Sequence, residues 1–162
     1  MALRIVGCGN LDRGDDGAGL LAVRRLRALG AESRGMKLFE HSGDGLNLID
    51  IFSDSDDLIV VDATAPSGQP GCIRVWNAKD AVLPKQALLC STHAFDIRET
   101  IELARALDRL PSRLIIFGIE AARFDFVAAL TPEVEAAVGK LARLLFEMSS
   151  AACDSLAACP PQ

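Results

Sequence analysis

Asp57-Leu58-Ile59-Val60-Val61-Asp62-Ala63 is an unbroken, β-branched apolar run opened by one acid and closed by another. A strand with one wet face would alternate polar and apolar residues. This run does not alternate, so it reads as an interior strand of a parallel sheet covered on both faces. Upstream, Leu3 to Val6 is a short apolar strand that runs into a glycine loop. Residues Asp16 to Leu29 follow as an amphipathic helix, with Ala18, Ala22, Leu26 and Leu29 on one face and arginines opposite. Gly30 ends that helix. Lys37 to Glu40 is a second short strand, and Gly45 to Phe52 a short helix. Downstream, Cys72 to Asn77 is strand-like after a Pro/Gly turn. Its connection from Asp62 is too short for a helical crossover, which makes an antiparallel addition the expectation. Asp96 and Glu99 have capping-box spacing and open a helix carrying Ile97, Ile101, Ala104 and Leu107. Leu114 to Ile119 is another buried strand. Thr131-Pro132-Glu133 starts a last helix, with Thr131 as N-cap and Pro132 in the first turn.

Strand and helix alternate. The predicted fold is therefore a single-domain α/β three-layer sandwich: a twisted, mostly parallel sheet between helices, with room for one antiparallel strand. The domain is expected to span residues 1–148, with 149–162, rich in Ala, Ser, Cys and Pro, as a loose tail. A length of 162 residues suits one domain with a sizeable core. The net charge is −5 and aromatics are few, which argues against nucleic acid as a partner. No apolar run nears the roughly 20 residues needed to cross a bilayer, so no membrane role is expected. No stretch reads as a secretory signal, so a cytoplasmic, monomeric protein is expected. The five cysteines form no C-x-x-C pair and read as reduced thiols, with Cys8 and Cys90 as buried packing residues.

In an open parallel sheet, ligands gather at the carboxyl ends of the strands. The first strand ends in Gly7-Cys8-Gly9-Asn10-Leu11-Asp12-Arg13-Gly14-Asp15-Asp16-Gly17-Ala18-Gly19. Glycine loops at such junctions often hold phosphate, but Asp15 and Asp16 would repel it. The interior strand ends on Asp62, and His93 stands just before a helix. Asp16, Asp62 and His93 together make a plausible N/O site for a borderline divalent ion such as nickel or zinc. Each also has a plainer reading. One of Asp15 and Asp16 should cap the first helix, with Asp15 the better candidate. Asp62 could hold loop amides, and His93 alone would be structural. His41, after the second strand, either joins the pocket or lies on the surface.

The loop fits G-x-G-N-x-x-x-x-D-[DE]-G-x-G and resembles the N-terminal signature of the nickel-iron hydrogenase maturation proteases. The resemblance continues through DLIVVDATAPSGQPG, STHAFDIRETIELARAL, LIIFGIE and LTPEVEAAV. It implies a peptidase that trims the C-terminal extension from a hydrogenase large-subunit precursor once nickel has been inserted. The residues that match the family's nickel contacts are Asp16, Asp62 and His93. The nickel then belongs to the substrate, and another divalent ion could stand in for it. One departure is Glu40-His41-Ser42-Gly43, where many members carry a D-G-G-T-like segment; it leaves Glu40 and His41 as open site members.

No G-x-S-x-G elbow is present, and spacing supports no Cys/His pair. Hydrolysis through a polarised water, with a carboxylate accepting the proton, fits better, although spacing does not say which carboxylate. A receiver-type phosphoacceptor domain with an acidic magnesium pocket is the main rival reading. It too has an acidic pair after the first strand and an aspartate ending the third, but its acids sit at the strand end and a lysine ends the last strand. A dinucleotide-binding module fits less well, because Asp12 occupies the place of the third fingerprint glycine.

Overall fold

A computed structural model of the chain describes residues 2–42, 45–53, 57–84, 97–126 and 129–148. Strands β1 (Arg4–Cys8), β2 (Lys37–His41), β3 (Asp57–Thr64), β4 (Ile73–Asn77) and β5 (Arg113–Glu120) form one sheet in the order β2-β1-β3-β5-β4. All neighbouring pairs are parallel except β4 and β5. The short β3–β4 connection leaves no length for a crossover helix, so β4 turns back and caps the sheet edge antiparallel. A receiver domain would instead need a parallel fourth strand in the order 2-1-3-4-5.

The sheet's two faces are sorted residue by residue. Ile5, Ile59, Val61, Ile115 and Phe117 pack towards α1 (Ala18–Ala28) and α4 (Pro132–Glu147). Val6, Cys8, Leu58, Val60, Leu114 and Ile116 pack towards α2 (Gly45–Ser53) and α3 (Ile97–Ala106). Burial on both faces is why the interior strands read as continuous apolar runs. At the helix ends the periodicity overreaches. α1 begins at Ala18 after a 3-10 turn at Gly14–Gly17, and Leu29 and Leu107, each one residue past its helix, are 43% and 53% exposed. Asp96, residues 85–95 and the stretch 149–162 lie outside the described residues.

One close approach fixes the first βα unit. A Cβ on Gly19 would overlap the carbonyl oxygens of Val61 and Cys8, and one on Gly7 would overlap the Gly19 carbonyl. The start of α1 thus rests directly on the ends of β1 and β3, backbone against backbone. Gly19→Ala should cost about 3 kcal/mol, because strand backbone rather than a flexible side chain would have to move. Urea unfolding followed by circular dichroism reads that loss.

Candidate active site

The glycine loop is shaped by its own polar groups. Gly9 takes φ +141° and donates its N–H to the His41 carbonyl at 3.2 Å. Asn10 donates its N–H to the Asp16 carbonyl at 3.2 Å, while its side-chain oxygen accepts the Asp12 N–H at 2.9 Å. These contacts turn the chain back so that Asp16, 4% exposed, lies against Gly9 at the end of β1. Arg13 stands 3.9 Å from the Asp16 carboxylate and packs over the Phe124 ring.

Asp62, 6% exposed, lies on β3 next to this loop. Its Oδ1 accepts the N–H of Ala63 at 2.8 Å, which sets the plane of the carboxylate. Strand alternation places Asp62 on the α2/α3 face, where Val60 points, and in the same lateral row as Cys8 and His41. The structure thus brings Asp16 and Asp62 to one edge of the sheet. His93 lies outside the described residues. Among those residues, no three His, Cys, Asp or Glu side chains could together hold an ion.

His41 is buried at the end of β2 beside Cys8, so the surface reading of that histidine is withdrawn. Glu40 points to the opposite face. Arg24 and Arg27 of α1 grip its carboxylate at 3.0 and 2.8 Å and hold it below the usual carboxylate range, so the structure does not bring it to Asp62. Cys8 is free and buried; burial first, and the Asp62 charge second, push its thiol well above the ordinary value. The thiol stays protonated, as the packing reading of Cys8 expects.

Asp15 corrects the expectation of a helix cap. Neither the 3-10 turn nor α1 receives a side-chain cap. The buried Asp15 carboxylate instead accepts the N–H groups of Ala122 (2.8 Å), Arg123 (3.2 Å) and Thr131 (2.7 Å), together with the Thr131 hydroxyl (2.9 Å). Thr131 does begin α4, followed by Pro132, but its hydroxyl serves Asp15 rather than the helix. One carboxylate thereby ties the glycine loop to the β5–α4 connection.

Glu120, which the sequence reading passed over, does the same for the β3–β4 loop. It accepts Ser67 N–H (2.7 Å), Ser67 Oγ (2.8 Å), Gln69 N–H (2.7 Å) and Arg74 Nη1 (2.8 Å). Burial raises its pKa, but the Gln69 amide, Arg74 and Ser67 outweigh that and hold it at about 2. The signal was present: Glu120 closes LIIFGIE as Asp62 closes DLIVVDA.

Two outcomes follow from these staples. Asp15→Ala leaves three amides, that of Thr131 buried and those of Ala122 and Arg123 partly so, and a hydroxyl without their acceptor and should cost about 3 kcal/mol in chemical unfolding. Because the folded pKa of Glu120 is depressed, its contribution is present above the unfolded value of about 4.5 and fades as pH falls towards about 2. Wild type should therefore lose stability over that acid range more steeply than Glu120→Gln, as read by unfolding at stepped pH.

Comparison with known proteins gives this geometry a context. The chain is 28% identical over 134 residues to the hydrogenase expression/formation protein HupD of Thiocapsa roseopersicina, covering 81% of this chain and 60% of that protein's length. It is 27% identical over 144 residues to HoxM of Azotobacter vinelandii, covering 88% of this chain and 70% of HoxM. Among solved structures, the endopeptidase HycI from Escherichia coli superposes with a TM-score of 0.72 at 24% identity, over 90% of both chains. The hydrogenase maturating endopeptidase HybD from Escherichia coli gives 0.68 at 18%, again over 90% of both chains. At these identities the structural likeness speaks for the fold. The sequence model described as hydrogenase maturation protease matches residues 21–148, a stretch that holds Asp62 and His93 and starts just past the glycine loop. With well over half of its length matched, the chain belongs to the hydrogenase maturation protease family.

Proposed function

We propose that this chain is a cytoplasmic endopeptidase that removes the C-terminal extension of a nickel-loaded [NiFe] hydrogenase large-subunit precursor, with Asp16, Asp62 and His93 contacting the nickel. The observation that carries the reading is that two nearly buried carboxylates, one from the glycine loop and one from β3, stand at the same carboxyl edge of the sheet. Family membership supports an endopeptidase, and the carboxylate pair suits a hard or borderline divalent ion. Nickel enters as part of the substrate, so the site tests whether the precursor has been loaded.

The chemistry that fits these side chains is hydrolysis by water. Nickel carried by the precursor would supply Lewis acidity to the reacting groups, and a carboxylate of the site would take the proton from the attacking water. The water's oxygen bonds to the scissile carbonyl carbon, the C–N bond breaks, and the amine leaves with the proton. Cys8 supports this route over a thiolate nucleophile, since it stays protonated between its neighbours. The Ala63 amide holds one oxygen of Asp62, and Arg13 stands 3.9 Å from the Asp16 carboxylate and offsets part of its charge.

Asp16→Ala, Asp62→Ala and His93→Ala should each fold and each lose at least about a hundredfold in processing rate on a nickel-loaded precursor. A gel shift of the precursor provides the readout. Wild-type rates in all three variants would sink the assignment.

A further inference from the structure

Arg13 is the sole cation of the glycine loop. Its side chain is 20% exposed, and Nη1 stands 3.9 Å from the Asp16 carboxylate, beyond hydrogen-bonding reach. The guanidinium lies over the Phe124 ring, 5.8 Å from its centroid. Among the described residues it has no hydrogen-bond acceptor, yet none of its nitrogens is sealed from solvent. A guanidinium carries five N–H donors in a rigid fork, and folding leaves this fork unspent. Arginines that fasten the fold behave otherwise. Arg24 and Arg27 grip Glu40, Arg74 grips Glu120, and Arg105 donates to the carbonyls of Ala78 and Lys79.

Arg13 is also held in place. Its N–H donates to the Asn10 carbonyl at 3.3 Å, and its carbonyl accepts the Asp16 N–H at 3.2 Å. Phe124, against which it packs, follows Ala122 and Arg123, whose amides the Asp15 carboxylate fastens. Donors fixed in position and open to solvent beside Asp16 are what a binding site offers before its ligand arrives.

We infer that Arg13 is a substrate-binding residue whose guanidinium donates to a main-chain carbonyl oxygen of the precursor, next to the segment that brings nickel to Asp16. The inference rests on the endopeptidase reading above and adds a residue to it. Electrostatics favours a neutral acceptor: Arg13 and Asp16 together carry no net charge, and a second carboxylate brought to the fork would be repelled by Asp16. A carbonyl brings its lone pairs without that repulsion. An extended peptide presents one at every residue, so a chain crossing the loop supplies the acceptor that folding does not.

The test compares wild type, Arg13→Met and Arg13→Lys in steady-state processing of nickel-loaded precursor, alongside thermal melting. Methionine keeps an unbranched apolar stem for Phe124 and removes every donor. Lysine keeps the charge beside Asp16 but replaces the fork with a point charge. Arg13→Met should melt within about 3 °C of wild type and raise KM about tenfold, the scale of one lost hydrogen bond, with kcat within about threefold. Arg13→Lys should raise KM about fivefold, and it carries the test alone if the methionine variant folds poorly. A well-folded methionine variant with wild-type KM overturns the proposal whatever its kcat, because a residue acting only through Asp16 changes the chemical step. A lysine variant with wild-type KM overturns it too, since offsetting the charge of Asp16 would then account for Arg13. If wild type itself leaves the precursor uncut, the endopeptidase reading falls and takes this one with it. If wild type cuts and KM does not move, this inference alone falls.

Discussion

The start of α1 lies so close to the ends of β1 and β3 that no side chain fits between them: Gly19 faces the carbonyls of Cys8 and Val61, and Gly7 faces Gly19. That contact fixes more than one helix. It sets the distance the loop from Gly9 to Asp16 must span, and so dictates where Asp16 can stand. A larger residue would push α1 outward and carry the 3-10 turn with it. The acid would then move away from the end of β3, where Asp62 pairs with Gly118 of β5 just past the last residue that β3 pairs with β1. The site therefore depends on a backbone contact in which neither of its acids takes part.

Around that contact, the acids of the carboxyl edge divide by what grips them. Asp15 is engaged by the amides of Ala122, Arg123 and Thr131, Glu120 by Ser67, Gln69 and Arg74, and Glu40 by two arginines of α1. Each of these three is a fastening. Two of them anchor the loops that border Asp16 and Asp62, and the third ties β2 to α1. A buried carboxylate that accepts several N–H groups is favourable in its charged form, and taking the acceptor away leaves those donors stranded. Loop geometry here is thus held by hydrogen bonds to buried carboxylates in addition to the apolar contacts of Phe124 and Leu130.

The parts of the fold legible in the sequence are those governed by periodicity. DLIVVDA and LIIFGIE spell out interior parallel strands, and the short stretch after Asp62 spells out the antiparallel edge strand. Helix ends were less legible: Leu29 and Leu107 continue an apolar rhythm that the helices themselves do not follow. Long-range polar partners were not legible at all. Asp15 reads as a helix cap because its sequence neighbours form a helix start, yet its partners lie more than 100 residues away in the chain. A local pattern identifies a carboxylate but does not say which distant amides will need it. Glu120 shows that the missed signal can be simple. An acid closing a buried strand has to be satisfied by something, and that holds for LIIFGIE as much as for DLIVVDA.

The same requirement separates fastening from function at the strand ends. Folding alone explains a buried polar group whose partners all come from the chain, and Asp15 and Glu120 meet that condition. The hydroxyl of Thr64 does not, since burial removes its water and the described chain offers it nothing in return. Selection for stability alone would place valine at 64. The hydroxyl that stands there instead is a cost that no contact among the described residues repays.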